Sequence, residues 1–210
     1  MVGPSGAGKT AISKAMAKAG IPYVVSYTTR PMRKGETEGV EHHFITEAQA
    51  IEYIITTPTK SFVMLPAYTE IGGYRYFVRE DQLMQWDPVL TYVIDEEGLL
   101  ALRRWADIDV QDVQIIPVYI DRDKAEIAKY TDAERMARDS ERRALPADTY
   151  TIRVINDSPS LDQLNCWAEN FAFALLTVLG LTSVKPCTLN TSEDRMHDII
   201  NKLNNVQHHV

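Results

Sequence analysis

Apolar positions along the chain follow two periods, one helical and one extended. Ile12, Ala15, Met16 and Ala19 share one face of a stretch from Thr10 to Ala19, and Gly20 and Pro22 supply its stop. Thr46 and Gln49 form a capping-box pattern ahead of Ala50, Ile51, Ile54 and Ile55, which predicts a second helix. Asp132 is placed to cap a helix running through Leu145, and Ser160 to cap an apolar helix ending at Gly180. Extended runs lie between these: Tyr23 to Val25, Val89 to Ile94, Val113 to Ile120 and Thr151 to Ile155. The nearly continuous apolar character of the middle two is that of strands buried on both faces of a parallel sheet. Phe62 to Leu65, Gly72-Gly73 and the alternating aromatics of Tyr74 to Val78 read instead as a hairpin off that sheet.

This alternation predicts an α/β fold, a parallel sheet flanked by helices with a small β-rich insertion. Residues 1–180 read as one domain, with a core of 1–28 and 80–180, an arm of about 29–79 and a short lid of about 128–145. After Gly180 the composition turns to Thr, Ser, Asn and Lys, so 181–210 read as an appendage with a short helix bearing Met196, Ile199, Ile200 and Leu203. A chain of 210 residues, 45% hydrophobic, fills one such domain as a monomer or homodimer. Its net charge of −7 repels nucleic-acid phosphates, so no nucleic-acid partner is expected. With no apolar run long enough to span a bilayer and no signal-like opening, no membrane partner is expected and the location is cytoplasmic. Cys166 and Cys187 lack metal-ligand spacing, which suits a reducing compartment, and read as structural or neutral.

Chemistry enters with Gly3-Pro4-Ser5-Gly6-Ala7-Gly8-Lys9-Thr10, which fills the pattern G-x-x-x-x-G-K-[ST] and runs into the first helix. Such a loop turns its N–H groups toward phosphate oxygens, with Lys9 reaching the β- and γ-phosphates and the Thr10 hydroxyl a ligand for Mg²⁺. Gly3, Ser5, Gly6, Ala7, Gly8, Lys9 and Thr10 are therefore the candidate ATP-binding residues. Only Met1 and Val2 precede the loop where a buried strand normally leads in, so the natural start is expected upstream. After the Tyr23 strand, Ser26, Arg30 and Arg33 offer a hydroxyl and two guanidinium forks to a second phosphate, unless the loop is a solvated basic one. Arg135, Arg138 and Arg142 share one face of the Asp132 helix, either to meet charge on a transferring phosphoryl group or to pair with Glu134, Asp139 and Glu141.

Two of these motifs together carry a resemblance. G-P-S-G-x-G-K-[ST] followed by S-x-T-T-R-x-x-R-x-G-E-x-x-G-x-x-x-x-F, from Ser26 to Phe44, resembles the guanylate kinase family, over Gly3 to about Leu164. The resemblance implies a P-loop kinase that transfers the γ-phosphoryl group of MgATP to a nucleoside monophosphate. It implies acceptor binding by Ser26, Arg30, Arg33, His42, Tyr76 and Asp95, catalytic roles for Lys9, Arg135 and Arg138, and a place near adenine for Asn156. Hairpin packing for Tyr76 and helix capping for Asp95 are the rival readings.

The departures from the family lie where it reads the base. Met64 stands in place of a guanine-binding Glu, Val78 of a Ser or Thr, His42 of a Tyr, and Val93 of the first Asp of an acidic pair. An apolar wall of Met64, Phe77 and Val78 is expected to discriminate guanine weakly. The acceptor is accordingly GMP, dGMP or another ribo- or deoxynucleotide, modified bases included. A kinase of a ribose phosphate and a non-catalytic guanylate-kinase-like binding module are the alternatives.

Overall fold

The computed structural model describes residues 1–56, 65–85, 88–109, 113–181 and 193–207. Its elements begin with α1 (Lys9–Lys18), β1 (Tyr27–Thr28), β2 (His43–Phe44), α2 (Glu47–Thr56), β3 (Ala67–Ile71), β4 (Tyr74–Val78) and α3 (Glu80–Met84). They continue with α4 (Glu96–Asp109), β5 (Val118–Asp121), α5 (Lys124–Ile127), α6 (Ala133–Glu141), β6 (Ile152–Ile155), α7 (Leu161–Val178) and α8 (Glu193–Gln207).

The central layer is parallel. β5 pairs with β6 from Val118↔Ile152 to Asp121↔Ile155. On the other edge of β5, the Val2 N–H donates to Val118 O and the Ile120 N–H to Val2 O, both at 2.8 Å. The Ile94 N–H donates to Met1 O, and Tyr23 bridges Thr91 in parallel, which completes the order Tyr23, Thr91–Ile94, Met1–Val2, β5, β6. Val2, Ile120 and Ile152 are almost completely buried, as a layer covered on both faces requires. The predicted strand from Val113 starts only at Val118, because Pro117 has no N–H for a ladder.

The second sheet has the order β2-β1-β4-β3, with β1 parallel to β2 and antiparallel to β4. Gly72 and Gly73, at φ 58° and 77°, form the β3–β4 turn that the paired glycines predict. Phe62, Val63 and Met64 lie outside the described residues.

Helices α1 and α7 pack together in a core with Ile12, Met16, Ile120, Ile152 and Phe171. Ile199 and Leu203 of α8 are buried in that same cluster, so the segment read as an appendage packs onto the domain. A second core of Val24, Ala67, Val78, Leu83 and Trp105 fastens the hairpin to α4. The predicted caps hold: Asp132 Oδ1 accepts from the Arg135 N–H, Ser160 Oγ from the Gln163 N–H, and Thr46 and Gln49 cap each other. α6 stops at Glu141, short of Leu145, because Arg142 turns to extended backbone at ψ 137° and Pro146 disfavours a helical Leu145. Cys166, read as structural or neutral in a reducing compartment, is disulfide-bonded.

Candidate active site

A cavity of about 250 Å³ is walled by the glycine-rich loop, the segment after Tyr23, the hairpin, the chain up to Asp95 and α6. Ser5, Lys9, Thr10, Ser26, Arg30, Arg33, His42, Tyr76, Asp95, Arg135 and Arg138 all line it. Most of the residues picked out by motif are thus brought together from five stretches of chain.

The loop is shaped by close approach. A Cβ at Gly3 would stand 2.1 Å from Ile120 O, and Gly6 and Gly8 have φ of 77° and 98°, so glycine is required at each. Gly8 caps α1 in left-handed conformation while Ala7 is fully buried. Asn156, at the end of β6, donates Nδ2–H to Ala7 O at 2.8 Å and accepts from the Ser158 N–H. Its side chain is buried behind the loop, which it braces, and does not line this cavity. Lys9 Nζ curls back to donate to Gly3 O and Pro4 O, each at 2.7 Å. Burial, then the Arg142 charge, lowers its pKa to about 8. Thr10 is exposed beside it.

In the arm, the two arginines differ. Arg30 is 4% exposed and its fork closes on Glu36, with both N–H···O distances 2.6 Å. Its Nε is buried without a hydrogen-bond partner. Burial alone would raise the Glu36 pKa, but the Arg30 fork and the Arg33 N–H hold it at about 2. Arg33 is more open, 3.9 Å from the same carboxylate. His42 Nδ1 lies 3.0 Å from Ser26 Oγ, and its ring meets Tyr76 edge-on. Burial and then Arg30 depress the His42 pKa to about 4, so the ring is neutral at pH 7.

The apolar wall is not the one the sequence predicts. Phe77 and Val78 are fully buried, Phe77 against Ala50 and Leu65 and Val78 against Trp105. Neither lines the cavity: Phe77 lies on the opposite face of the hairpin, and Val78, on the cavity's face, is covered by Trp105 of α4; Met64 lies outside the described residues. Val24, Ile71, Val93 and Ile94 line it instead, with one polar pair among them. Thr69 Oγ donates to Asp95 Oδ2 at 3.0 Å, while Oδ1 accepts the Gly98 N–H at 2.7 Å. Asp95 therefore caps the start of α4 and faces the cavity at once.

Over the top lies α6. Arg138 packs on the hairpin turn, where a Cβ at Gly72 would meet its Cδ at 3.7 Å. Arg142 pairs with Glu96 at 2.6 Å and with Asp139 at 3.3 Å. Asp139 also accepts from Ser5 of the loop. Sequence reasoning missed Thr69, Glu96 and this use of Asp139. The available signal was spacing: Asp139 is four residues after Arg135 and three before Arg142, on the arginine face.

Comparisons with known proteins bear on the family and the fold. The family model described as guanylate kinase matches residues 1–59. A guanylate kinase of Nitrosococcus oceani is 52% identical over 94 residues, 44% of this chain and 42% of that protein. One of Helicobacter hepaticus is 41% identical over 107 residues, 49% of this chain and 51% of that protein. Against these two, the chain spans about half of the relative's length. The crystal structure of guanylate kinase from Anaplasma phagocytophilum shares the fold, with a TM-score of 0.55 over 81% of this chain and 82% of that one at 19% identity. A guanylate kinase of Sphingopyxis alaskensis is 32% identical over 168 residues, 73% of this chain and 72% of that protein. Matched to that extent along both proteins, the chain belongs to the guanylate kinase family.

Proposed function

We propose that this protein transfers the γ-phosphoryl group of MgATP to the phosphate of a nucleoside monophosphate, GMP, dGMP or a related nucleotide, giving the diphosphate. The observation that carries this reading is one cavity with two phosphate-binding walls, the Ser5–Thr10 loop and the Ser26–His42 arm, and arginines of α6 between them. Lys9 and the loop N–H groups hold the donor phosphates, and Arg33, Tyr76 and His42 hold the acceptor phosphate whose oxygen attacks. Arg135 and Arg138 meet the charge that develops between them. The nucleophile is the substrate's own oxygen, so the residues position and neutralise and take no covalent part.

Mg²⁺ fits the site, since the exposed Thr10 hydroxyl stands beside Lys9 on the cavity wall. Bound with ATP, the ion supplies charge neutralisation on the phosphates. No helix among the described residues is long and apolar enough to cross a membrane. The test is a coupled assay of ADP release across GMP, dGMP, AMP, UMP, dTMP and dUMP. Turnover of at least one is expected, and acceptor-dependent ADP release with none would overturn the reading.

A further inference from the structure

Two polar side chains meet at the Ser26 hydroxyl. His42 Nδ1 lies 3.0 Å from Ser26 Oγ, and the Tyr92 side chain is hydrogen-bonded to that of Ser26. Tyr92 reaches it from the neighbouring strand, where Thr91 bridges Tyr23 in parallel, and all three residues line the cavity. Ser26 is only 7% exposed, so its hydroxyl is satisfied by these neighbours and by what enters the cavity. A hydroxyl has two lone pairs and one proton to give. Where that proton points depends on which nitrogen of the neutral His42 ring carries hydrogen.

The charges around the ring decide between the two. Arg30 is the strongest of them and Arg33 acts in the same sense, while the Glu36 carboxylate that opposes both is closed on the Arg30 fork. Guanidinium groups only donate, so Nε2, the nitrogen not bonded to Ser26, is favoured as a lone pair beside them. That leaves the hydrogen on Nδ1, where it meets Ser26 Oγ. Tyr92 is equipped to donate as well, because burial and then the Asp95 charge raise its pKa and keep the phenol protonated. We propose that Tyr92 and His42 are positioning residues, each donating to Ser26 Oγ, so that the one Ser26 proton is turned into the cavity toward the acceptor phosphate. His42 then holds that phosphate through Ser26. This inference rests on the reading of the Ser26–His42 arm as the acceptor site.

The first test needs no variant: nitrogen NMR of the full chain at pH 7 should show His42 with hydrogen on Nδ1 and a bare Nε2. The second is the acceptor KM, taken with whichever of GMP, dGMP, AMP, UMP, dTMP and dUMP turns over fastest. Ser26→Ala is expected to raise it about tenfold and Tyr92→Phe about fivefold, with kcat and the ATP KM little changed. Added to Ser26→Ala, Tyr92→Phe should raise it no further, since Tyr92 acts only through that hydroxyl. His42→Asn, whose amide N–H takes the place of Nδ1–H, should raise it less than His42→Gln, whose amide takes the place of Nε2. Hydrogen on Nε2, a Tyr92→Phe effect that persists in Ser26→Ala, an equal rise in the ATP KM, or a smaller loss in His42→Gln than in His42→Asn would each overturn the proposal. Turnover of none of the six by the unaltered chain would overturn the acceptor-site reading, and this inference with it.

Discussion

At the end of the cavity proposed for the donor, the wall is made by backbone: three glycines at positive φ and Lys9 folded onto its own loop, all within Gly3 to Thr10. At the end facing Asp95, proposed for the base, the wall is made by side chains from distant strands, with Thr69 on β3 meeting Asp95 after Thr91–Ile94. The match to the family model ends at residue 59, before either of those two. Phosphate is the same group in every nucleotide, and a contiguous stretch of chain binds it. A base is read by a few polar atoms against an apolar wall, and those atoms come from wherever the fold supplies them. The first kind of site survives divergence as a motif; the second is rebuilt.

The contrast breaks most directly at Lys9. Lys9→Ala is expected to lower kcat by about a thousandfold or more, with a melting temperature close to wild type, since Nζ bonds only to loop carbonyls. Retained turnover would show that the loop does not hold the donor. The next largest effect is expected in the arm. Arg33→Ala should raise the acceptor KM about tenfold and leave ATP affinity unchanged. Arg30→Ala should instead cost about 3 kcal/mol of stability in urea melts, because it strands the Glu36 carboxylate, and raise the acceptor KM only through the altered shape of the arm. Equal damage to both substrates would make the arm structural.

The base end is sharpened by substrate competition. With one polar pair in the wall, GMP should be preferred over other monophosphates by less than about a hundredfold in kcat/KM. Thr69→Val leaves Asp95 Oδ2 without its donor and is expected to raise the acceptor KM a few-fold, with the ATP KM unchanged and Thr69→Ser restoring it. Strict GMP dependence that survives Thr69→Val would place base recognition elsewhere.

The smallest expected effects are those of pH. Free Lys9 loses its proton near pH 8, so kcat/KM for ATP should fall above that value while kcat at saturating ATP, with phosphate beside the amine, persists to higher pH. His42 has a folded pKa near 4, below its unfolded value near 6.5, so the unfolded chain binds more protons between them. Stability should therefore fall as pH drops from about 6.5 toward 4, and His42→Gln should flatten that slope in melts. An unaltered slope would mean that the ring is solvated.

Much of the fold was legible because it is local. The caps at Thr46, Asp132 and Ser160, the turn at Gly72-Gly73 and the phosphate loop are each set within a few residues. The pattern Met196, Ile199, Ile200, Leu203 gave the helix α8, but periodicity does not say what a face packs on. The same limit hid the base end. Tyr76 and Val78 share one face of β4, yet Tyr76 lines the cavity and Val78 lies in the core under Trp105, because α4 covers only one end of that face. Arg30 read as a phosphate fork; only the fold shows that Glu36 takes its two terminal nitrogens.

The loop at the start of the chain is completed by residues made much later. Gly3 is packed against Ile120, and Ala7 is fastened by Asn156, 149 residues away. As the chain leaves the ribosome, the first ten residues wait for β5 and then β6 before their geometry exists, since such remote closures form last. A nascent chain halted before β6 is expected to carry the whole motif and retain no nucleotide on an ATP-agarose column, whereas one released after α7 is retained. Timing of synthesis, and not the motif alone, decides when a donor site first appears.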